Sequence, residues 1–175
     1  MPDGDDRTTK SRSYSYSTRQ LDLAAAMSMT GLDYMRALTS GEIGGRPSIS
    51  DTMNMSIPFD LGEGCAAVEA EPADFLLNPL GSVHGGFAAT ILDTVLGVAT
   101  HTALPPAMGY TTAELKVNFT RPIRPDTGRL RAEGRVIHAG RQMITSEGRI
   151  TGIADGKLYA HGSATCFVFP LSQKG

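Results

Sequence analysis

HGGFAATILDTVLGVATHTA, residues 84–103, is apolar around most of a helix. Phe87, Ala88, Ile91, Leu92, Val95, Leu96, Val98 and Ala99 leave only a narrow polar stripe, and a helix of that kind belongs in a core. The stripe, Thr90, Asp93, Thr94, Gly97 and His101, follows helical spacing. Asp93 is therefore expected mid-helix in an otherwise buried segment. At roughly 20 residues the stretch is too polar and too interrupted to span a membrane.

Downstream of LPPAMG (residues 104–109) the period changes from helix to strand. In 110–119, simple alternation places Thr111, Ala113, Leu115, Val117 and Phe119 on one face and Thr112, Glu114, Lys116 and Asn118 on the other. Alternation recurs in 129–137, 142–153 and 158–169. Turns are expected at Pro122–Gly128, His138–Arg141 and Asp155-Gly156, the last as a two-residue hairpin turn.

Upstream, Met53, Met55 and Ile57, then Ala66, Val68 and Ala70, alternate as two strands joined by DLGEG at 60–64, a hairpin. Before them Leu21, Ala25, Met29, Leu32, Met35 and Leu38 form a helical stripe. Gly31 interrupts it, so one helix or two short ones are open. Gly41 to Pro47 ends the helical run. Residues 1–20 are polar and Ser/Tyr-rich. They lack the apolar stretch of a secretory signal, and Asp3, Asp5 and Asp6 argue against a transit peptide. They are expected to be a flexible tail, with 21–175 a single domain. Short hairpin links make the sheet antiparallel. The order predicts an α+β fold in which a curved antiparallel sheet wraps one long central helix.

Composition excludes several classes. With 175 residues, 41% hydrophobic and 19% charged, the chain can bury a real core. A formal net charge of −2 gives no basic excess, so nucleic acid is not an expected partner. No apolar run approaches a membrane span, and no membrane partner is expected. Cys65 and Cys166 lack C-x-x-C spacing. One bridge is compatible with them, but reduced, buried thiols in a cytoplasmic protein are the better reading. His84, His101, His138 and His161 form no metal-ligand spacing, so no metal or other cofactor is expected. No G-x-S-x-G elbow, P-loop or dinucleotide fingerprint occurs in the required context.

NPLGSVHGGFAATILDTVLG, residues 78–97, resembles the signature of the PaaI-type hotdog thioesterases of the phenylacetate pathway. GYTTAELKVNFTRPI, residues 109–123, resembles the strand that follows it in that family. The likeness covers roughly residues 42–169, and Asn–x5–HGG–x6–Asp is its specific part. It implies the hotdog fold, hydrolysis of acyl-CoA to acid and CoA, no cofactor, and dimers or dimers of dimers. Position by position, Asp93 matches the catalytic acid, a general base or nucleophile. Gly85 matches the glycine whose N–H polarises the thioester carbonyl. Asn78 matches a residue that holds the thioester or the water, and His84 a supporting histidine. Thr112 matches a hydroxyl that orients the water. An extra residue near LPPAMG leaves Thr111 as the alternative.

The residues make chemical sense without the family. Hydrolysis of a thioester needs an activated water and donors for the developing oxyanion. Asp93, flanked by Ile91, Leu92 and Val95, supplies a carboxylate in a partly desolvated place. A helix N-terminus has free N–H groups and a favourable dipole, and Gly85 and Gly86 let a carbonyl approach them. Arg121, Arg124 and Arg141 lie by turns and can meet CoA phosphates. Each residue alone also has an ordinary reading: a structural carboxylate, loop slack, a cap, a turn asparagine, a solvated arginine. Their joint order carries the expectation. Gly85 and Asp93 lie eight residues apart, about 12 Å along a helix axis, too far to serve one reacting atom. The site is expected to be shared by two antiparallel copies. The other surviving reading is a hotdog module that binds acyl-CoA without turnover.

Overall fold

The computed structural model describes residues 9–16, 18, 22–44, 47–57 and 59–172. Its centre is α4, Gly85–Thr102, an unbroken helix of 18 residues. Phe87, Ile91, Leu92, Val95 and Leu96 are each at most 2% exposed. Burial of each such side chain contributes about 1.5–3 kcal/mol.

Six strands wrap this helix: β1 (Asp60–Gly62), β2 (Cys65–Ala70), β3 (Met108–Phe119), β4 (Leu130–Ala139), β5 (Met143–Gly152) and β6 (Leu158–Pro170). They form one antiparallel sheet in the order β1-β2-β4-β5-β6-β3, and α4 packs against all six. Across the three middle strands, Gly134, Gly148 and Gly162 share one register. A β-carbon at Gly134 would lie 2.8 Å from the Val95 carbonyl oxygen of α4, and one at Gly148 3.0 Å from the Leu96 side chain. The glycine row thus lets helix and sheet backbones approach closely.

The edge strand β3 departs from simple alternation. Thr112 pairs with Cys166 and Glu114 with Thr165, so Ala113 is an extra residue in a bulge. The bulge changes the phase of the strand. Thr112 is half-buried on the same side as Leu115 and Val117, while Thr111, Ala113 and Glu114 are exposed. The expectation that Thr111 shares the face of Leu115, with Thr112 opposite, is therefore corrected.

The amino-terminal stripe is two helices, α1 (Leu23–Ser28) and α2 (Gly31–Ser40). The Asp22 and Thr30 side chains cap them, accepting from Ala25 N–H at 3.0 Å and Asp33 N–H at 3.2 Å. Gly31 opens α2 against the end of α4, where a β-carbon would lie 1.8 Å from the His101 carbonyl oxygen. The strand expected at 53–57 does not form: after a short helix α3 (Ser48–Thr52) the chain makes a turn and one bridge from Met55 to Ala70. The hairpin turn narrows to Glu63-Gly64 between β1 and β2. The β5–β6 link spans 153–157 rather than two residues, with Asp155 Oδ1 accepting from Lys157 N–H at 3.0 Å.

Within the segment read as a tail, Lys10, Arg12 and Tyr14 of the exposed stretch 9–16 bond to the body, and 1–8, 17, 19 and 20 fall outside the described residues. Arg12 donates to the carbonyls of Thr52 and Asp51 at 3.0 and 2.7 Å, and its guanidinium lies 3.9 Å from the Phe75 ring centre. Lys10 pairs with Asp74. Cys166 is buried, but Cys65 is exposed at the edge of β2, and both are free thiols.

Candidate active site

Asp93 stands half-buried in the third turn of α4. The Thr112 hydroxyl donates to its Oδ1 at 3.0 Å. Its Oδ2 accepts from no group among the described residues. The bulge produces this contact by turning Thr112 toward the helix. Thr111 points the other way, beside Phe167 on β6.

Three members of the polar stripe of α4, Asp93, Gly97 and His101, meet β3. Tyr110 packs on Gly97, where a β-carbon would lie 2.7 Å from the phenol oxygen. Burial, with Cys166 and Asp93 adding, pushes that phenol up, so it keeps its proton. His101 stacks on Tyr34 at 5.3 Å and meets the edge of Tyr110 at 5.6 Å. Burial lowers the imidazole to about 4, so it is neutral in neutral water.

The amino end of α4 is a separate piece of the site. His84 is the N-cap, and its Nδ1 accepts from Gly86 N–H at 2.9 Å. Gly86 is therefore occupied by the cap, whereas Gly85 N–H has no acceptor among the described residues. The Phe119 ring stands over Gly85, 3.1 Å from where a β-carbon would be. Phe119 was not anticipated as a site residue. Its place becomes visible only once the register sets the end of β3 beside the start of α4.

Asn78 braces the turn that leads into α4. Its Oδ1 accepts from Leu80 N–H at 2.9 Å and Ser82 N–H at 3.2 Å, and its amide donates to the Ser82 hydroxyl at 2.9 Å. Arg121 and Arg124 lie in the exposed link after β3, at the Gly85 end, where Val83 N–H donates to the Ile123 carbonyl at 2.9 Å. Arg141 lies in the β4–β5 turn, toward the other end of α4. None of these three arginines forms an ion pair among the described residues.

One chain thus joins Asp93 to Thr112, and Gly85 to His84 and Phe119, at two stations of one unbroken helix. It does not bring Gly85 to Asp93. A concavity of 870 Å³ on the outer face of the sheet touches neither station. Its charges pair among themselves: Arg131 with Asp60 at 2.7 Å, Arg149 with Glu133 at 3.0 Å, and Arg135 with Glu147. Among the described residues no helix is long and apolar enough to cross a membrane.

The family model of the thioesterase superfamily matches residues 80–158. A Halobacterium salinarum protein whose name classes it as an esterase is 39% identical over 77 residues, 43% of this chain and 49% of that protein. The match thus spans about half the length of that curated relative. A conserved protein of Pseudomonas aeruginosa, 30% identical, superposes with a TM-score of 0.64 over 70% of this chain and 94% of its own. A phenylacetic acid degradation-related protein of Ralstonia eutropha, 28% identical, superposes with a TM-score of 0.68 over 77% and 98%.

Proposed function

This chain belongs to the thioesterase superfamily, and we propose that it is an acyl-CoA thioesterase with Asp93 as its catalytic carboxylate. The observation that carries the reading is the state of Asp93: one oxygen is held by Thr112 and the other is open. A carboxylate fixed in this way can take a proton from water or attack a carbonyl directly.

As a base, Asp93 removes a proton while the hydroxide adds to the thioester carbon. The carbonyl electrons move to oxygen, where the Gly85 N–H stabilises them. Collapse breaks the C–S bond, and the thiolate takes up the proton. As a nucleophile, Asp93 adds to the thioester carbon and the C–S bond breaks to release the thiolate, leaving a mixed anhydride; water then opens the anhydride to the free acid and the Asp93 carboxylate, and its proton goes to the thiolate. Both routes need Asp93 and Gly85 near one carbonyl. An unbroken helix holds them about 12 Å apart along its axis, so the donor is the Gly85 of a second, antiparallel chain. The functional unit is a homodimer, alone or in a dimer of dimers.

The other assignments follow this frame. Thr112, not Thr111, orients the carboxylate and its water. His84 shapes the helix start, Asn78 sets the turn before it, and Gly86 serves the cap. Arg121, Arg124 and Arg141, without ion-pair partners among the described residues, meet CoA phosphates. Two free thiols suit the reducing cytoplasm.

The test is thiol release from a panel of acyl-CoAs by the wild type and Asp93→Asn. Hydrolysis by the wild type, reduced about 10²–10⁴-fold in a folded Asp93→Asn protein, is expected. Binding of acyl-CoA without release by the wild type would make the chain a binding module instead. Wild-type turnover in Asp93→Asn would remove Asp93 from its role.

A further inference from the structure

Cys166 is fully buried on the helix-facing side of β6, directly across from Thr112 in the β3–β6 register. It is a free thiol. Thr112 has a single hydroxyl proton, and it goes to Asp93 Oδ1 at 3.0 Å. Any hydrogen bond between Thr112 and Cys166 must then run from the sulfur, as donor, to the Thr112 oxygen. The thiol can donate because it keeps its proton: burial pushes it up, the neighbouring Thr100 and Thr112 hydroxyls oppose that, and the Asp93 charge adds to it. On the far side lies Thr100, on α4, also fully buried. Its hydroxyl has no hydrogen-bond partner among the described residues, and the Cys166 sulfur is a polar group near it. A buried hydroxyl without a partner costs stability, so this proton has one favourable direction, toward sulfur.

We propose that Cys166 is a positioning residue for Asp93, the middle of a directional chain Thr100 O–H to Cys166 sulfur, Cys166 S–H to Thr112 oxygen, and Thr112 O–H to the Asp93 carboxylate. Each member has one proton, so the protonated thiol in the middle fixes the order of the whole. The chain locks the Thr112 hydroxyl on Asp93 and leaves Oδ2 as the reactive oxygen. Cys166 touches no substrate. It acts through Thr112, and hydrogen bonds in a buried series strengthen one another. This role rests on the thioesterase reading of the same site, while the chain itself can be observed without substrate.

The experiment has two arms. In a Cys65→Ser background, which leaves a single thiol, the infrared S–H stretch reports the Cys166 donor bond. Thr112→Val removes the acceptor, so the band should move to higher frequency. An unmoved band would overturn the chain whatever the activity. In the second arm, Cys166→Val keeps an apolar side chain of similar volume and removes the donor, whereas Cys166→Ser keeps a donor and an acceptor. With an acyl-CoA that the wild type hydrolyses, Cys166→Val should lower kcat about fivefold to tenfold, the size of one hydrogen bond, with KM unchanged. It should also displace the acid limb of the kcat–pH profile, and Cys166→Ser should restore both. If Cys166 only packs, Cys166→Val keeps the wild-type kcat and pH profile, and the positioning role is overturned. Absence of turnover by the wild type on the whole panel would remove the thioesterase reading and with it the positioning role. The S–H band would then still decide the hydrogen-bond chain.

Discussion

The Phe119 ring and Gly85 are in such close apposition that a β-carbon at Gly85 would lie 3.1 Å from Cζ of the ring. The ring is 57% exposed, so it can give way at small cost. Gly85→Ala should therefore fold, with Tm within a few degrees of the wild type. It keeps the N–H but narrows the approach to it, so kcat/KM should fall about tenfold or more. Removing the ring as well, in Gly85→Ala/Phe119→Ala, should recover part of that loss. Wild-type kcat/KM in Gly85→Ala, measured by thiol release, would show that no carbonyl passes there.

Thr112 gives a second test, because its bond to Asp93 needs only a hydroxyl. Thr112→Ser should stay within about threefold of wild type. Thr112→Val, close in shape, should lower kcat by about tenfold. Thr111→Val, on the exposed face, should change kcat by less than twofold. A stronger effect at Thr111 than at Thr112 would reverse the assignment.

Sharing of the site can be tested by mixing two inactive chains. Asp93→Asn removes the carboxylate, and Gly85→Pro removes the N–H at a helix position that tolerates proline. In a shared site, each mixed dimer has one intact site and one carrying both lesions. Random pairing makes about half the dimers mixed, so about a quarter of wild-type activity should return on co-expression. No recovery, with mixed dimers demonstrated and both parents folded, would place the whole site within one chain.

Acid stability should reflect His101. Its folded value of about 4 lies below the ordinary 6.5 because of burial. Between these values the unfolded chain takes up a proton that the folded chain resists. The contribution is fully present above pH 6.5 and is lost as pH falls toward 4. By pH 5 the loss amounts to about 2 kcal/mol. Urea midpoints at pH 7.5 and 5.0 should fall less in His101→Phe, which keeps a ring between Tyr34 and Tyr110. Equal falls in both proteins would show that the imidazole is accessible to protons.

Legibility in the sequence followed the length scale of the signal. The apolar girth of 84–103 and the alternation of the last three strands are repeated many times, so helix and strands sit within a few residues of where the pattern puts them. The stretch 53–57 has three apolar residues at period two, too few to separate a strand from the turn and single Met55 bridge that form there. The docking of Arg12 on Thr52, Asp51 and Phe75 is a contact across some forty to sixty residues, which no local pattern records. The same holds for Phe119 over Gly85. The places of Gly85 at the start of α4 and of Asp93 within it were legible from the helical pattern, but the bracing of Asn78 by Ser82 required the turn itself. Cys65, in an alternating run, looked internal, yet its strand ends at the sheet margin beside β1.

Strand β3 has 12 residues, of which 11 pair with β6, and Ala113 is the one left over. Removing Ala113 would leave Thr112 and Leu115 facing the helix, since Glu114 alone would then separate them in a regular strand. The chain is therefore one residue longer here than its pairing requires. In any alignment with a shorter relative, the gap belongs at Ala113. A gap placed four to nine residues earlier, within residues 104–109, slides the strand by one and exchanges the hydroxyl that holds Asp93 for one that faces solvent. The same arithmetic makes a chain lacking Ala113 a compact way to ask whether the extra residue serves any purpose beyond length.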